Sequence, residues 1–169
     1  LENLGSVVTS FRNCLLLDHG DTNSRAATLQ AGLDGLRQLT STLNTNVGDR
    51  YLFAGVNSDI KPIAENATGA AASLAAFQST FGIAVGDPAE SAISSASMKT
   101  FLDGDHAALF GAQPWQTNWS SADESATRSR ISPSELIDSS VSANEPVFRK
   151  LAEAFSMIAN FGGVDLNGE

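Results

Sequence analysis

Hydrophobic residues recur every three or four positions in three stretches of the chain, and each stretch predicts an amphipathic helix. In the first, Leu1, Leu4, Val8, Phe11 and Leu15 share a stripe that Val7 and Cys14 widen. Asp18, His19, Gly20 and Asp21 interrupt it, and Asp21 or Ser24 is placed to cap the next helix. The second stripe runs through Ala26, Leu29, Leu33, Leu36, Thr40, Leu43 and Val47 at coiled-coil spacing. The third is Phe148, Leu151, Phe155 and Ile158, flanked by Val147, Ala154 and Phe161. It opens with Asn144 as cap and Pro146 in the first turn, and Gly162-Gly163 stops it. A seam this narrow needs a partner, because each leucine left in water forgoes roughly 1.5–3 kcal/mol. The third helix or another molecule must supply that cover.

Between the second and third stripes the pattern changes. Gly48 ends the helical period, and Arg50-Tyr51-Leu52-Phe53-Ala54 alternates as a strand does, with Tyr51 and Phe53 on one face. Gly55, Asn57, Ser58 and Asp59 form turns, and Pro62 removes a backbone donor, so the ribbon bends away there. Residues 64–127 lose the heptad and predict shorter helices over Ala71–Phe81 and Ala89–Leu102, with one more turn from His106 to Phe110. Trp115 and Trp119 come after them in a loop, where they close the core of this segment or, in a binding module, stack on a sugar. Ala126–Ile131 and Glu135–Val141 flank Ser132-Pro133-Ser134 as a second ribbon and turn. The fold expected is mainly α with minor β. It is an elongated antiparallel helical rod made of residues 1–61 plus 128–169, with β-ribbons at one end and a small, mostly helical domain, 62–127, inserted in it.

Charge sharpens that division. The net charge is -9: residues 1–61 carry -1, 62–127 carry -6 with Lys99 their only base, and 128–169 carry -2. The near-neutral ends suit surfaces that pack together, while the acidic middle suits a solvated body. An acidic chain is a poor partner for nucleic acid, whose phosphates call for lysine and arginine. No apolar run approaches the roughly 20 residues of a membrane span. The chain opens at Leu1 in helical phase and closes at Glu169 soon after a helix, which suggests a piece of a longer protein.

Candidate chemistry is sparse. Cys14 is the single cysteine, so neither an internal disulfide nor a Cys/His zinc site is expected, and its place on the stripe makes it a small buried hydrophobe. His19 and His106 are the only histidines, and both fall beside polar turns as ordinary surface or turn residues with no nucleophile to activate. Asp18, Asp21 and Asn23 suggest a cation loop but lack the rest of a calcium pattern. Asn66-Ala67-Thr68 and Asn118-Trp119-Ser120 match the glycosylation sequon by letter only. No catalytic, cofactor-binding or metal-binding residue is assigned, and an enzyme is not expected.

Two motifs carry a family likeness. Leu43-Asn44-Thr45-Asn46 leads into Gly48-Asp49-Arg50-Tyr51-Leu52-Phe53-Ala54-Gly55, and Ser142-Ala143-Asn144-Glu145-Pro146-Val147-Phe148 leads into Phe155-Ser156-Met157-Ile158. In this order they resemble the flagellin superfamily, and within it the hook-filament junction subunits; Phe101-Leu102-Asp103-Gly104 and Asn118-Trp119-Ser120-Ser121-Ala122 tilt the likeness the same way. The likeness implies terminal helical segments that pair around the axial channel, and these are expected to belong to the longer protein rather than to this stretch of it. The resemblance implies a structural, non-enzymatic subunit of the bacterial flagellum, exported through the flagellar type III secretion channel to an extracellular position. Its partners would be neighbouring axial subunits (copies of itself, another hook-associated protein, flagellin) and an export chaperone, with neither nucleic acid nor membrane among them. Without the end segments the chain alone is expected to be monomeric. Filament flagellin proper is the nearest alternative, and a carbohydrate-binding module using Trp115 and Trp119 the more distant one.

Overall fold

The computed structural model describes residues 22–64, 67–125, 128–132, 135–138, 141–164 and 166. The stripe from Leu1 to Leu15, Cys14 and the Asp18–Asp21 run with His19 lie outside the described residues, as does Asn66 of the first sequon. Among those described the chain is mainly helical, with four short strands in two antiparallel pairs. In chain order the elements are α1 (Thr22–Leu43), β1 (Asn46–Val47), β2 (Arg50–Tyr51), α2 (Ala67–Phe81), a 3₁₀ turn (Pro88–Ala92) and α3 (Ser95–Phe101). A π-helical turn (Leu102–His106), α4 (Ala112–Asn118), β3 (Arg128–Ser132), β4 (Glu135–Asp138) and α5 (Pro146–Phe161) complete them.

Helices α1 and α5 lie antiparallel, with Thr28 beside Gly162, Gly32 beside Ala159 and Gly35 beside Phe155. The buried stripe of α1 is Thr28, Gly32, Gly35, Leu36, Leu39 and Leu43. This corrects the expected seam: Leu36 and Leu43 belong to it, but Leu33 and Val47 are exposed and Leu29 only half-buried. The cause is backbone proximity. A Cβ added to Gly32 would stand 2.5 Å from the Ala159 nitrogen, and one on Gly35 would stand 2.5 Å from the Phe155 ring. Small residues set the close approach of the two helices at Gly32 and Gly35, and Leu36, Leu39 and Leu43 continue the contact toward the start of α5.

The first ribbon is shorter than its alternation suggests. Asn46–Val47 pairs with Arg50–Tyr51 through a two-residue turn in which Gly48 (φ 55°) and Asp49 (φ 62°) are both left-handed, the geometry of a tight hairpin. Leu52 and Phe53 have already left the strand. The second ribbon forms as expected, β3 against β4, with a register shift between Arg130 and Ser132. The stretch predicted as one helix, 89–102, is split: Asp87 caps the 3₁₀ turn and Ser94 caps α3, each accepting from a backbone N–H with its side chain. Trp115 is not in a loop, because α4 carries it; the helix ends just before Trp119, which follows in a turn.

Two aromatic-rich clusters fill the interior. One joins Leu36, Leu39 and Leu43 of α1 to Phe148, Ala152 and Phe155 of α5 and to Ile63, Phe110, Trp115 and Trp119. The other is Phe77, Ile93, Met98 and Phe101, with Phe161 from the end of α5 stacked on Phe77 at 5.4 Å. Residues 62–127 thus pack against α5 at both of its ends as well as on themselves. A buried pair of hydroxyls, Ser73 Oγ and Ser156 Oγ at 3.2 Å, fixes the register of α2 on α5.

Candidate functional site

Four segments of backbone meet where α1 ends and α5 begins. The Asn44 side chain acts as a strand partner for Ile63: Nδ2 donates to the Ile63 carbonyl at 3.0 Å and Oδ1 accepts from its N–H at 2.9 Å. Beyond it, the Ala64 N–H donates to Trp119 O and the Ser121 N–H to Pro62 O, both at 2.8 Å. Asp123 N donates to Ala54 O and Ala143 N to Phe53 O. Gly55 (φ 68°) is needed here, since a Cβ on it would lie 2.6 Å from the Asp123 carbonyl. Asn144 does not cap α5, as the sequence suggested; the cap position is Glu145, with no side-chain bond, and Asn144 Nδ2 donates instead to Ala122 O at 2.8 Å. Phe148 closes the joint edge-on against Phe53 at 5.7 Å.

Exposed apolar side chains are concentrated in the segments of this joint, among exposed polar ones such as Asn46, Arg50, Asp59 and Lys61. Of the eight large hydrophobic side chains exposed among the described residues, Val47, Leu52, Val56, Ile60, Val141 and Val147 belong to the joint and its hairpin, and only Leu33 and Leu74 do not. Large apolar side chains left in water are a feature of surfaces that meet other proteins when they form a contiguous patch. Beside the joint, Arg37, Thr40, Ser41, Asn46, Tyr51 and Lys61 line an open groove of about 490 Å³. The groove offers hydrogen-bond donors and cations but no carboxylate and no nucleophile with a base, so it supplies contacts rather than acid–base chemistry. Arg37 also pairs with Asp34 at 2.9 Å.

The tryptophans cannot serve as a stacking platform for sugars. Trp115 and Trp119 are 1% and 4% exposed and stack on each other at 5.5 Å, with Phe110 against both. They close the core. His106, expected at the surface, is 1% exposed, with Phe101, Phe110 and Phe161 around it. Burial lowers its pKa from 6.5 to about 4, so the imidazole is neutral at physiological pH. The π turn explains the misplacement: its extra residue per turn brings i+5 into line, so His106 rather than Asp105 follows Phe101 inward. Asp123, by contrast, is only half-buried, and the Ser125 N–H and then its hydroxyl hold its carboxyl below the usual range. Among the described residues no group of three or more potential ligands could hold a metal ion, and no helix is long and apolar enough to cross a membrane.

In the sequence, Asn44, Ala54 and Ala143 stand as motif residues without an evident physical task, while Gly55 reads as a turn former and Asn144 as a cap. The joint gives each one: Ala54 and Ala143 are fully buried where bulk would part the strands, and the two asparagines tie distant backbone together. The chain matches no protein-family model, no curated protein and no solved structure.

Proposed function

We propose that the chain is part of an axial structural subunit of the bacterial flagellum, a member of the flagellin superfamily. Within that class the reading is the subunit joining hook to filament, the third hook-associated protein. One observation carries it: the residues of two motifs almost a hundred positions apart, Asn44 to Gly55 and Ala143 to Phe148, converge on one joint at the end of an antiparallel helix pair. A rod built from residues 1–61 and 128–169, with 62–127 carried to its side, is the architecture this reading requires, and the α1–α5 contact supports it. The apolar side chains left exposed at the joint are then covered by neighbouring axial subunits, and no catalytic role is needed.

Deleting the gene should leave hooks that shed their filaments, while the full-length protein supplied in trans should restore attachment. Stable filaments on the deletion strain would remove the junction assignment. If sheared filaments consist mostly of this chain, it is instead filament flagellin. The sugar-binding alternative has lost its platform with both indoles buried, and no feature of the groove favours it.

A further inference from the structure

His106 occupies the point where the two aromatic clusters touch. Its ring centroid lies 6.1 Å from Phe101 and 5.4 Å from Phe161, both of one cluster, and 5.3 Å from Phe110 of the other. The residue is 1% exposed, and its Nε2 has no hydrogen-bond partner. Few charged groups come with the elements around it. Helices α2 and α4 contain no titratable residue; α3 contributes Lys99, and the π turn itself contributes Asp103 and Asp105. All three are exposed, Lys99 pairing with Asp103 and Thr80 donating to Asp105. Helix α5 adds Arg149, which donates to the Phe110 carbonyl, and the exposed ammonium of Lys150 with Glu153 beside it. A charged imidazole would therefore stand buried with no acceptor at Nε2. Ring faces offset part of that cost, but not an unpaired buried N–H.

We propose that His106 is an acid-operated latch: neutral, it joins the two aromatic clusters, and protonated, it leaves the cage and frees the α2–α3 layer from α5. The sign follows from its lowered pKa. The unfolded or released form binds the proton near pH 6.5 and the closed form only near 4, so closure is fully present above 6.5 and is lost as pH falls from 6.5 to 4. Between pH 7.5 and 4.5 this group alone should lower the closing constant on the order of a hundredfold.

The test is a pH series on the chain with its native sequence and on His106→Gln, with His19→Gln identifying the second histidine's signal. In NMR the His106 ring proton should titrate near pH 4 in the folded protein. At pH 5, amide exchange should quicken in residues 67–106 before it does in the α1–α5 pair. His106→Gln should lose much less stability between pH 7.5 and 4.5 than the native chain, since carboxylate titration is common to both. A His106 signal titrating near 6.5, exchange quickening evenly across all helices, or parallel losses in the two proteins would each overturn the latch. Should His106→Gln fail to fold, the NMR and exchange arms on the native sequence still decide.

Discussion

The α1–α5 pair and the aromatic layer beside it are built on opposite principles. The pair is close because side chains are missing: Gly32 and Gly35 admit Ala159 and the Phe155 ring, and Ser156 is completely buried nearby. The layer is held by side chains that are large, with Phe77, Phe81, Phe101 and Phe161 meeting at centroid distances of 4.8–5.7 Å and two indoles stacked below Phe110. A contact defined by absent atoms suffers most when atoms are added, and one defined by rings suffers most when they are removed.

Truncation in the layer should give the largest effect. Phe77→Ala leaves a cavity among Phe81, Phe101 and Phe161 and should cost roughly 3–5 kcal/mol in urea unfolding. A loss below 1 kcal/mol would mean that the layer tolerates voids and the contrast is false. Gly32→Ala comes next and has the more informative sign. In a free helix the change gains about 1 kcal/mol, but here the added carbon meets the Ala159 backbone, and overpacking should reverse the outcome to a loss of roughly 1–3 kcal/mol. A raised melting temperature would show that the helices can move apart without penalty.

Asn44→Ala probes the seat shared by both regions. It removes two hydrogen bonds and leaves the N–H and C=O of buried Ile63 without their side-chain partner, for roughly 1–3 kcal/mol, and amide exchange should quicken at Ile63. Unchanged exchange there would assign the seat to packing alone. At the small end stands Lys99→Ala: its partner Asp103 and the lysine are both mostly in water, so the melting curve should move by less than about 0.5 kcal/mol.

How much of this was legible in the sequence depended on which signal each element used. Helices α1, α2 and α5 and the second ribbon follow from apolar spacing and from turn residues such as Ser132-Pro133-Ser134, and they stand close to where that spacing put them. The face of α1 did not follow, because Leu29 and Leu33 outweigh Gly32 and Gly35 in any hydrophobic pattern, whereas approach distance is decided by size. Periodicity also failed at His106, since a π turn changes the period itself and nothing in Leu102-Asp103-Gly104-Asp105 announces it. At the joint, Asn144 looks like a cap residue locally and Asn44 has no local task. Their partners, Ile63 and Ala122, are 19 and 22 positions away and become neighbours only once the chain has folded.

The pair of hydrogen bonds between Asn44 and Ile63 has a mechanical consequence. A pull along α1 arrives at Ile63 through both contacts of one amide simultaneously, flanked by two further backbone bonds to Ser121 and Trp119. Together these ties hold the end of the helix to the chain that crosses it at more points than its two-residue strands alone provide.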